Sequence, residues 1–278
     1  MNISIKRLCL YVYLLCLSFS FLIPLVWLLT SSLRSDEDIF KNTIPFTWRT
    51  LVPFQPQVDA YIFLFSDKRV PFVRALINTI VVSVVTAAIG CVVNGLAGFA
   101  FAKYNFRGKN LLLSVVLLGF LIPTELLVVP LYLVCSHLKI TNTYISLILP
   151  MAGNGIVILM FKQFFEELPN TILEAARIDG APWWRVMTSI VVPLSRPAII
   201  SGGITLLIFQ WDSLFWPLVA APHEKFIMIQ VALSKFVGEY KTNWNMLFAG
   251  STISALIPVI LFLVTQRIFF TSFEGSEK

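Results

Sequence analysis

The sequence predicts an all-α polytopic membrane protein with six transmembrane helices. Three observations lead there. The 278 residues are 57% hydrophobic and only 13% charged, against about 25% charged in an ordinary soluble domain. Mean hydropathy is +0.82, an excess of apolar side chains that a soluble core would have to expose and a bilayer absorbs. The apolar residues also gather into six stretches, each near the ~20 residues that a helix needs to cross a hydrocarbon core of about 30 Å.

The first stretch covers about 8–30. It is too long for the apolar region of a signal peptide and has no small-residue cleavage pattern after it, so it reads as a retained helix. The others cover about 75–102, 111–135, 143–165, 197–220 and 246–270. Basic residues in the short loops set the orientation. Lys6 and Arg7 precede the first helix. Lys103, Arg107 and Lys109 sit between the second and third without an acid, and the next short loop carries Lys139 alone. Both termini, the 103–110 loop and the 166–196 segment are therefore expected in the cytoplasm, and the 221–245 loop outside. The long 31–74 segment carries acids (Asp36, Glu37, Asp38, Asp59, Asp67) beside its bases and weighs little in this rule. Pro24, Pro123, Pro130, Pro150, Pro217 and Pro258 punctuate the apolar stretches as kinks or as breaks that line a solute path.

The net charge of +6 belongs to these topogenic loops, and no basic helix with an aromatic platform suggests nucleic acid. Cys9, Cys16, Cys91 and Cys135 lie inside apolar stretches without C-x-x-C spacing, and His137 and His223 are the two histidines. No metal site or disulfide framework is expected. The sequence has no G-x-x-x-x-G-K-[ST] phosphate loop and no zinc-protease or serine-nucleophile motif, so no catalytic residues are assigned.

One hydrophilic stretch, 166–196, carries most of the functional information. Pro169 suits a helix start, and Thr171 with Glu174 offers a competing capping-box start. Gly180 fits a helix C-terminus, where a left-handed backbone favours glycine. Pro182 suits the first turn of a second helix, with Trp183, Val186, Met187, Ile190 and Val191 on one face and Pro193 as its end. Ala175 and Ala176 are small enough for close approach to another surface. Glu174, Arg177, Asp179 and Arg185 supply a polar rim. The result is a helix–corner–helix, either a knob for a partner's groove or an amphipathic element lying on the membrane.

The spacing Glu174-Ala175-Ala176, three residues, Gly180, nine residues, Ile190, one residue, Val192-Pro193 resembles the EAA loop of ATP-binding cassette (ABC) importer permeases. Val192 stands where that family usually has Leu. Ile178-Asp179-Gly180-Ala181 resembles the carbohydrate-permease form of the loop. Further stretches resemble the maltose-type permeases: 72–79 (Phe-Val-Arg-Ala-Leu-Ile-Asn-Thr), 122–132 around Pro123 and Pro130, Gln210-Trp211-Asp212-Ser213-Leu214-Phe215-Trp216-Pro217-Leu218, and Gln266-Arg267. The usual Trp-Asn-Asp reads Trp211-Asp212-Ser213 here, and the tail 273–278 lacks the family's Gly-rich basic ending. The resemblance is to the smaller, six-helix partner of the maltose-type pair. It implies a type I permease fold in a single transmembrane domain, 1–278, and an inner-membrane location. It also implies partners: a homologous permease, two ATPase subunits that bind ATP and Mg, and an external solute-binding protein. The 166–196 loop would dock in the ATPase, and the solute would be a carbohydrate, polyol, glycerol phosphate derivative or glycoside osmolyte.

Two acids fall inside the apolar stretches, Glu125 and Asp212. A carboxylate at a helix centre costs about 2.5–3.5 kcal/mol on insertion scales, so it normally faces a bundle interior or a cavity. Glu125, Gln210, Asp212 and Ser213 are therefore candidate solute contacts through hydroxyl hydrogen bonds, with Trp211 and Trp216 as stacking platforms. The alternatives are a structural hydrogen bond or ion pair, or a proton-coupled carrier that uses Glu125 and Asp212. A membrane-embedded enzyme is a third class, for which no catalytic cluster is found.

Overall fold

The computed structural model describes residues 5–41, 47–53, 55–66, 70–238 and 242–274, with backbone alone for 267–274. The tail residues 275–278 and the side chain of Arg267, both part of the resemblance, lie outside the described residues. Among these residues the chain is helical and without strands. Inside a bilayer each backbone N–H and C=O must find its partner within the protein, and a helix does this locally.

The helices are α1 (Ile5–Ser31), α2 (Asp36–Ile39), α3 (Asp59–Ser66), α4 (Phe72–Lys103), α5 (Lys109–Leu121), α6 (Thr124–His137), α7 (Tyr144–Ile148), α8 (Gly155–Glu167), α9 (Asn170–Ile178), α10 (Trp183–Val186), α11 (Val192–Leu194), α12 (Arg196–Trp211), α13 (Phe215–Ala220), α14 (Ile229–Ser234) and α15 (Trp244–Glu274). Three are long and apolar enough to cross a membrane: α1, α4 and α15. Two bent pairs, α5–α6 and Trp183–Leu194 with α12, bring the number among the described residues to at most five if each pair counts as one span.

The first, second and sixth predicted stretches are thus continuous helices, and the other three are broken. Residues 111–135 bend by 107° between α5 and α6. Pro123 forces this: Ile122 before it is extended, with φ −76° and ψ 123°, as the proline ring demands. Residues 143–165 divide at 149–154, a segment holding Pro150, and Asn154 restarts the helix by accepting from the Ile156 and Val157 amides at 3.1 and 3.2 Å. Residues 197–220 divide after Trp211, where Asp212 is the C-cap of α12.

Contacts separate the chain into two compact units, Met1–Val73 with Ala232–Val259 and Arg74–Val231 with Ile260–Lys278. In the first, Asp36 Oδ1 accepts from the Asn245 amide at 2.7 Å and so caps α15. Trp27 meets Phe248 edge-on at 5.3 Å, and Phe40 meets Trp244 at 5.2 Å. Arg34 is buried and donates to the Thr50 carbonyl at 2.9 Å.

The second unit is built around α4 and α8. A Cβ on Gly98 would lie 2.6 Å from Phe161 Cβ and 2.9 Å from the Lys162 nitrogen, so glycine there lets the two backbones touch. Nearby, buried Asn94 donates to the Ala152 and Gly90 carbonyls, both at 2.7 Å, and accepts from the Asn154 amide at 2.9 Å. One side chain thereby satisfies the backbone at the break before α8. Asn78 donates to the Lys225 and Ile227 carbonyls, both at 2.9 Å, and Thr79 accepts from the Ile229 amide at 2.8 Å. These two residues of the 72–79 stretch pin part of the predicted outer loop.

Asn94→Leu tests the packing of this unit. Leaving a buried polar group unmade costs about 1–3 kcal/mol each. We expect a clearly lowered thermal unfolding midpoint in detergent; a midpoint equal to the wild type would contradict the assigned role.

Candidate functional site

The 166–196 segment folds as the predicted helix–corner–helix. Helix α9 starts at Asn170 with Pro169 as N-cap, so the capping-box start at Thr171 is not used. It ends in a Schellman turn: the Ala181 amide donates to the Ala176 carbonyl and the Gly180 amide to the Arg177 carbonyl, both at 3.0 Å. Gly180 has φ +70°, a left-handed backbone that costs any other L-residue roughly 1–2 kcal/mol. Pro182 is the N-cap of α10, one position before the helical turn expected for it.

Pro193 does not end the second helix, as its sequence position suggested. The helix runs on through a π turn, Met187–Val191, into α11 and stops at Ser195. The wider π turn relieves the clash of a proline ring with the carbonyl four residues earlier. At Ser195 the chain bends by 82° into α12, and the Ser195 hydroxyl donates back to the Val191 carbonyl at 2.7 Å.

The loop has an inner and an outer face. Leu173, Ala176, Val186, Met187 and Val191 are buried in one apolar cluster with Phe99 of α4 and Phe161 and Phe165 of α8. Ala176 therefore faces inward, three residues from Leu173 on the same side of α9, and only Ala175 is left for close approach to an outside surface. Trp183, expected on the inner face, is 52% exposed. Glu174, Ala175, Arg177, Ile178, Asp179, Gly180 and Arg185 are exposed and Ala181 is half-buried. Ile178, with 86% of its surface open, is a large apolar side chain at the tip of a polar corner.

A residue that sequence reasoning used only for topology holds the root of the loop. Lys103 Nζ donates to the Leu168 carbonyl at 2.6 Å and to Asn170 Oδ1 at 2.9 Å. The last residue of α4 thus ties the end of α8 to the first turn of α9. Asn170, next to Pro169, was the available signal.

The candidate solute residues do not form one constellation. Glu125 is exposed in the first turn of α6, just past the 107° bend. Asp212 is exposed and Ser213 half-buried at the break between α12 and α13. Trp211 and Trp216 are 3% and 1% exposed, and the Trp216 indole donates to the Ser146 carbonyl at 2.9 Å. In this conformation neither ring is open to stack on a solute, and Trp216 staples α13 to α7. Gln210 is 2% exposed, and both atoms of its amide lack a hydrogen-bond partner among the described residues.

The apolar helices, continuous and bent, are those of a polytopic integral membrane protein. Residues 94–275 match the family described as binding-protein-dependent transport system inner membrane component, and the chain belongs to that family. It is 29% identical over 265 residues to the arabinooligosaccharides transport system permease protein AraQ of Halalkalibacterium halodurans, covering 92% of each chain. It is 31% identical over 210 residues to the sn-glycerol-3-phosphate transport system permease protein UgpE of Shigella flexneri, covering 75% of each. Its fold is similar to a chain of a bacterial ABC transporter involved in the import of the acidic polysaccharide alginate, with a TM-score of 0.78, 21% identity and coverage of 97% and 99%.

The Lys103 tie is testable by exchange. In Lys103→Met, amide hydrogen exchange over residues 168–173 is expected to accelerate, and Lys103→Arg is expected to restore much of the protection. Unchanged exchange in the Met variant would show that the apolar face alone holds the loop.

Proposed function

We propose that this chain is a membrane-spanning subunit of an ATP-driven, binding-protein-dependent importer of a carbohydrate or related polyhydroxylated solute. The relatives named for arabinooligosaccharides and glycerol 3-phosphate support the solute class. The observation that carries the mechanism is the two-faced 166–196 loop: an inner face fused to the helix ends and an exposed outer face centred on Ile178, Asp179 and Gly180.

In this reading the outer face enters a groove of an ATPase subunit. Ile178 and Ala175 supply apolar contact, and Glu174, Arg177, Asp179 and Arg185 form a polar rim. Closure of the ATPase dimer on ATP and Mg moves the loop, and the loop carries the ends of α4 and α8 with it. A homologous permease completes the translocation path, and an external solute-binding protein delivers the solute. The chain lies in the inner membrane with both termini in the cytoplasm, and its apolar stretches make six crossings, some of them bent. Glu125, Asp212 and Ser213, at helix breaks and open to their surroundings, are the better solute contacts. Gln210, Trp211 and Trp216 face inward in this conformation.

Two experiments test the proposal. Affinity purification of the tagged chain in mild detergent is expected to bring an ATPase and a second permease, with hydrolysis rising when sugar-loaded binding protein is added. A folded chain that purifies alone and moves solute on a proton gradient would overturn it. In the second, Gly180→Pro, which φ +70° cannot accommodate, is expected to abolish most transport while the chain still inserts. Unchanged transport would count against the coupling role.

A further inference from the structure

In the second unit the buried polar side chains of Asn78, Thr79, Asn94, Ser146 and Ser195 all hold hydrogen-bond partners. Ser83, Thr86 and Gln210 do not. Both hydroxyls and both atoms of the amide are buried without a partner among the described residues. Ser83 and Thr86 are 0% exposed and Gln210 2%. A hydroxyl inside a helix commonly bonds back to the carbonyl four residues earlier, as Thr79 and Thr205 do at 2.8 and 2.9 Å. Ser83 and Thr86 make no such bond.

Helix register sets these side chains on one seam. The tip of the Phe161 ring lies against Gly95 of α4 and Gly202 of α12, where an added Cβ would come within 4.0 and 3.2 Å of Phe161 Cζ. A Cβ on Gly90 would meet Leu206 Cδ1 at 2.6 Å. Passing from Gly202 to Leu206 along α12 thus runs back from Gly95 to Gly90 along α4, and the two helices are antiparallel. One further turn brings Gln210, on the same face as Leu206, level with Thr86, on the same face as Gly90. Ser83 continues that face of α4.

Hydrogen-bond chemistry chooses the occupant. The Gln210 amide offers donors and an acceptor, and each hydroxyl both donates and accepts. A cation would use the acceptors alone and an anion the donors alone. Helix α4 carries no acid, and Asp212, the acid nearest Gln210 in sequence, is exposed. Burial closes the seam to any larger polyhydroxylated molecule in this conformation. Water is small and neutral, and it donates and accepts. A buried water typically holds about three hydrogen bonds to groups otherwise unmet, and it bridges polar groups that lie beyond direct bonding reach. We propose that Ser83, Thr86 and Gln210 form an internal water site in the membrane-embedded core, where held water joins α4 to α12. The inference rests on burial and register and not on the coupling role of the loop. Its consequence is that the two helices meet through packing at Gly90 and through exchangeable hydrogen bonds one turn further on.

The test is radiolytic hydroxyl-radical labelling of the full tagged chain, with whatever subunits accompany it, in phospholipid nanodiscs. Radicals form from water where it is held, so a buried side chain beside held water is oxidised and an equally buried dry one is spared. Leu206, 2% exposed and one turn from Gln210, is the reporter; Phe161, 0% exposed in the apolar cluster, is the dry control. In the wild type Leu206 is expected to be oxidised well above Phe161. Gln210→Leu and Thr86→Val should each lower Leu206 to the Phe161 level. The two changes lie on different helices, so either variant decides the matter if the other fails to fold. Leu206 labelled no more than Phe161 in the wild type would mean a dry seam and overturn the site. Labelling of Leu206 that persists in the variants would also overturn it, since solvent would then enter by opening of the helices and not be held by these groups.

Discussion

The loop 166–196 depends on an apolar joint. Its inner face shares one core with the ends of α4 and α8, and two close contacts make that core possible. At Gly98 the two helix backbones touch because no side chain intervenes. At Asn94 a single amide satisfies the carbonyl and N–H groups freed at the break before α8. With the helices so placed, Phe99, Phe161 and Phe165 form a floor on which Leu173, Ala176, Met187 and Val191 close. Tightly packed cores transmit displacement because they compress little. In the proposed coupling a push on the corner at Gly180 would reach α4 and α8 through this core, and Lys103 ties the end of α8 to the start of α9 on the same side.

The sequence made the corner legible and the helix breaks less so. Gly180 and Pro182 are local signals, since a left-handed position and a proline after it restrict the backbone whatever surrounds them. The three continuous spans were equally plain, because unbroken apolar runs of that length have no soluble alternative. The breaks at 122–123, 149–154 and 212–214 were harder. Proline inside an apolar stretch produces a kink in one context and a break in another, and neighbouring side chains decide which. Pro24, Pro130 and Pro258 stay inside helices, whereas Pro123 ends one. Pro193 passes through because a π turn precedes it, and a π turn leaves no clear mark in sequence.

Side-chain roles were the least legible. Ala175 and Ala176 are the same residue type side by side, and only their register against Leu173 sends one inward. Trp211 and Trp216 belong to a stretch that resembles a family motif, and no local pattern shows that both rings are buried in this structure. Lys103 looked like a topology signal until its two acceptors, 65 and 67 residues away in sequence, came within reach. Contacts at such separation depend on tertiary structure, and no local pattern encodes them.

The central claim is that the outer face of the corner meets an ATPase, and Ile178 is the residue to ask. With the four native cysteines replaced, Ile178→Cys should crosslink to a co-expressed ATPase subunit bearing cysteines along its membrane-facing groove, and Thr188→Cys should not. The account predicts an Ile178 crosslink whose yield changes when ATP is added. No crosslink at any groove position, from a chain that still transports, would contradict it.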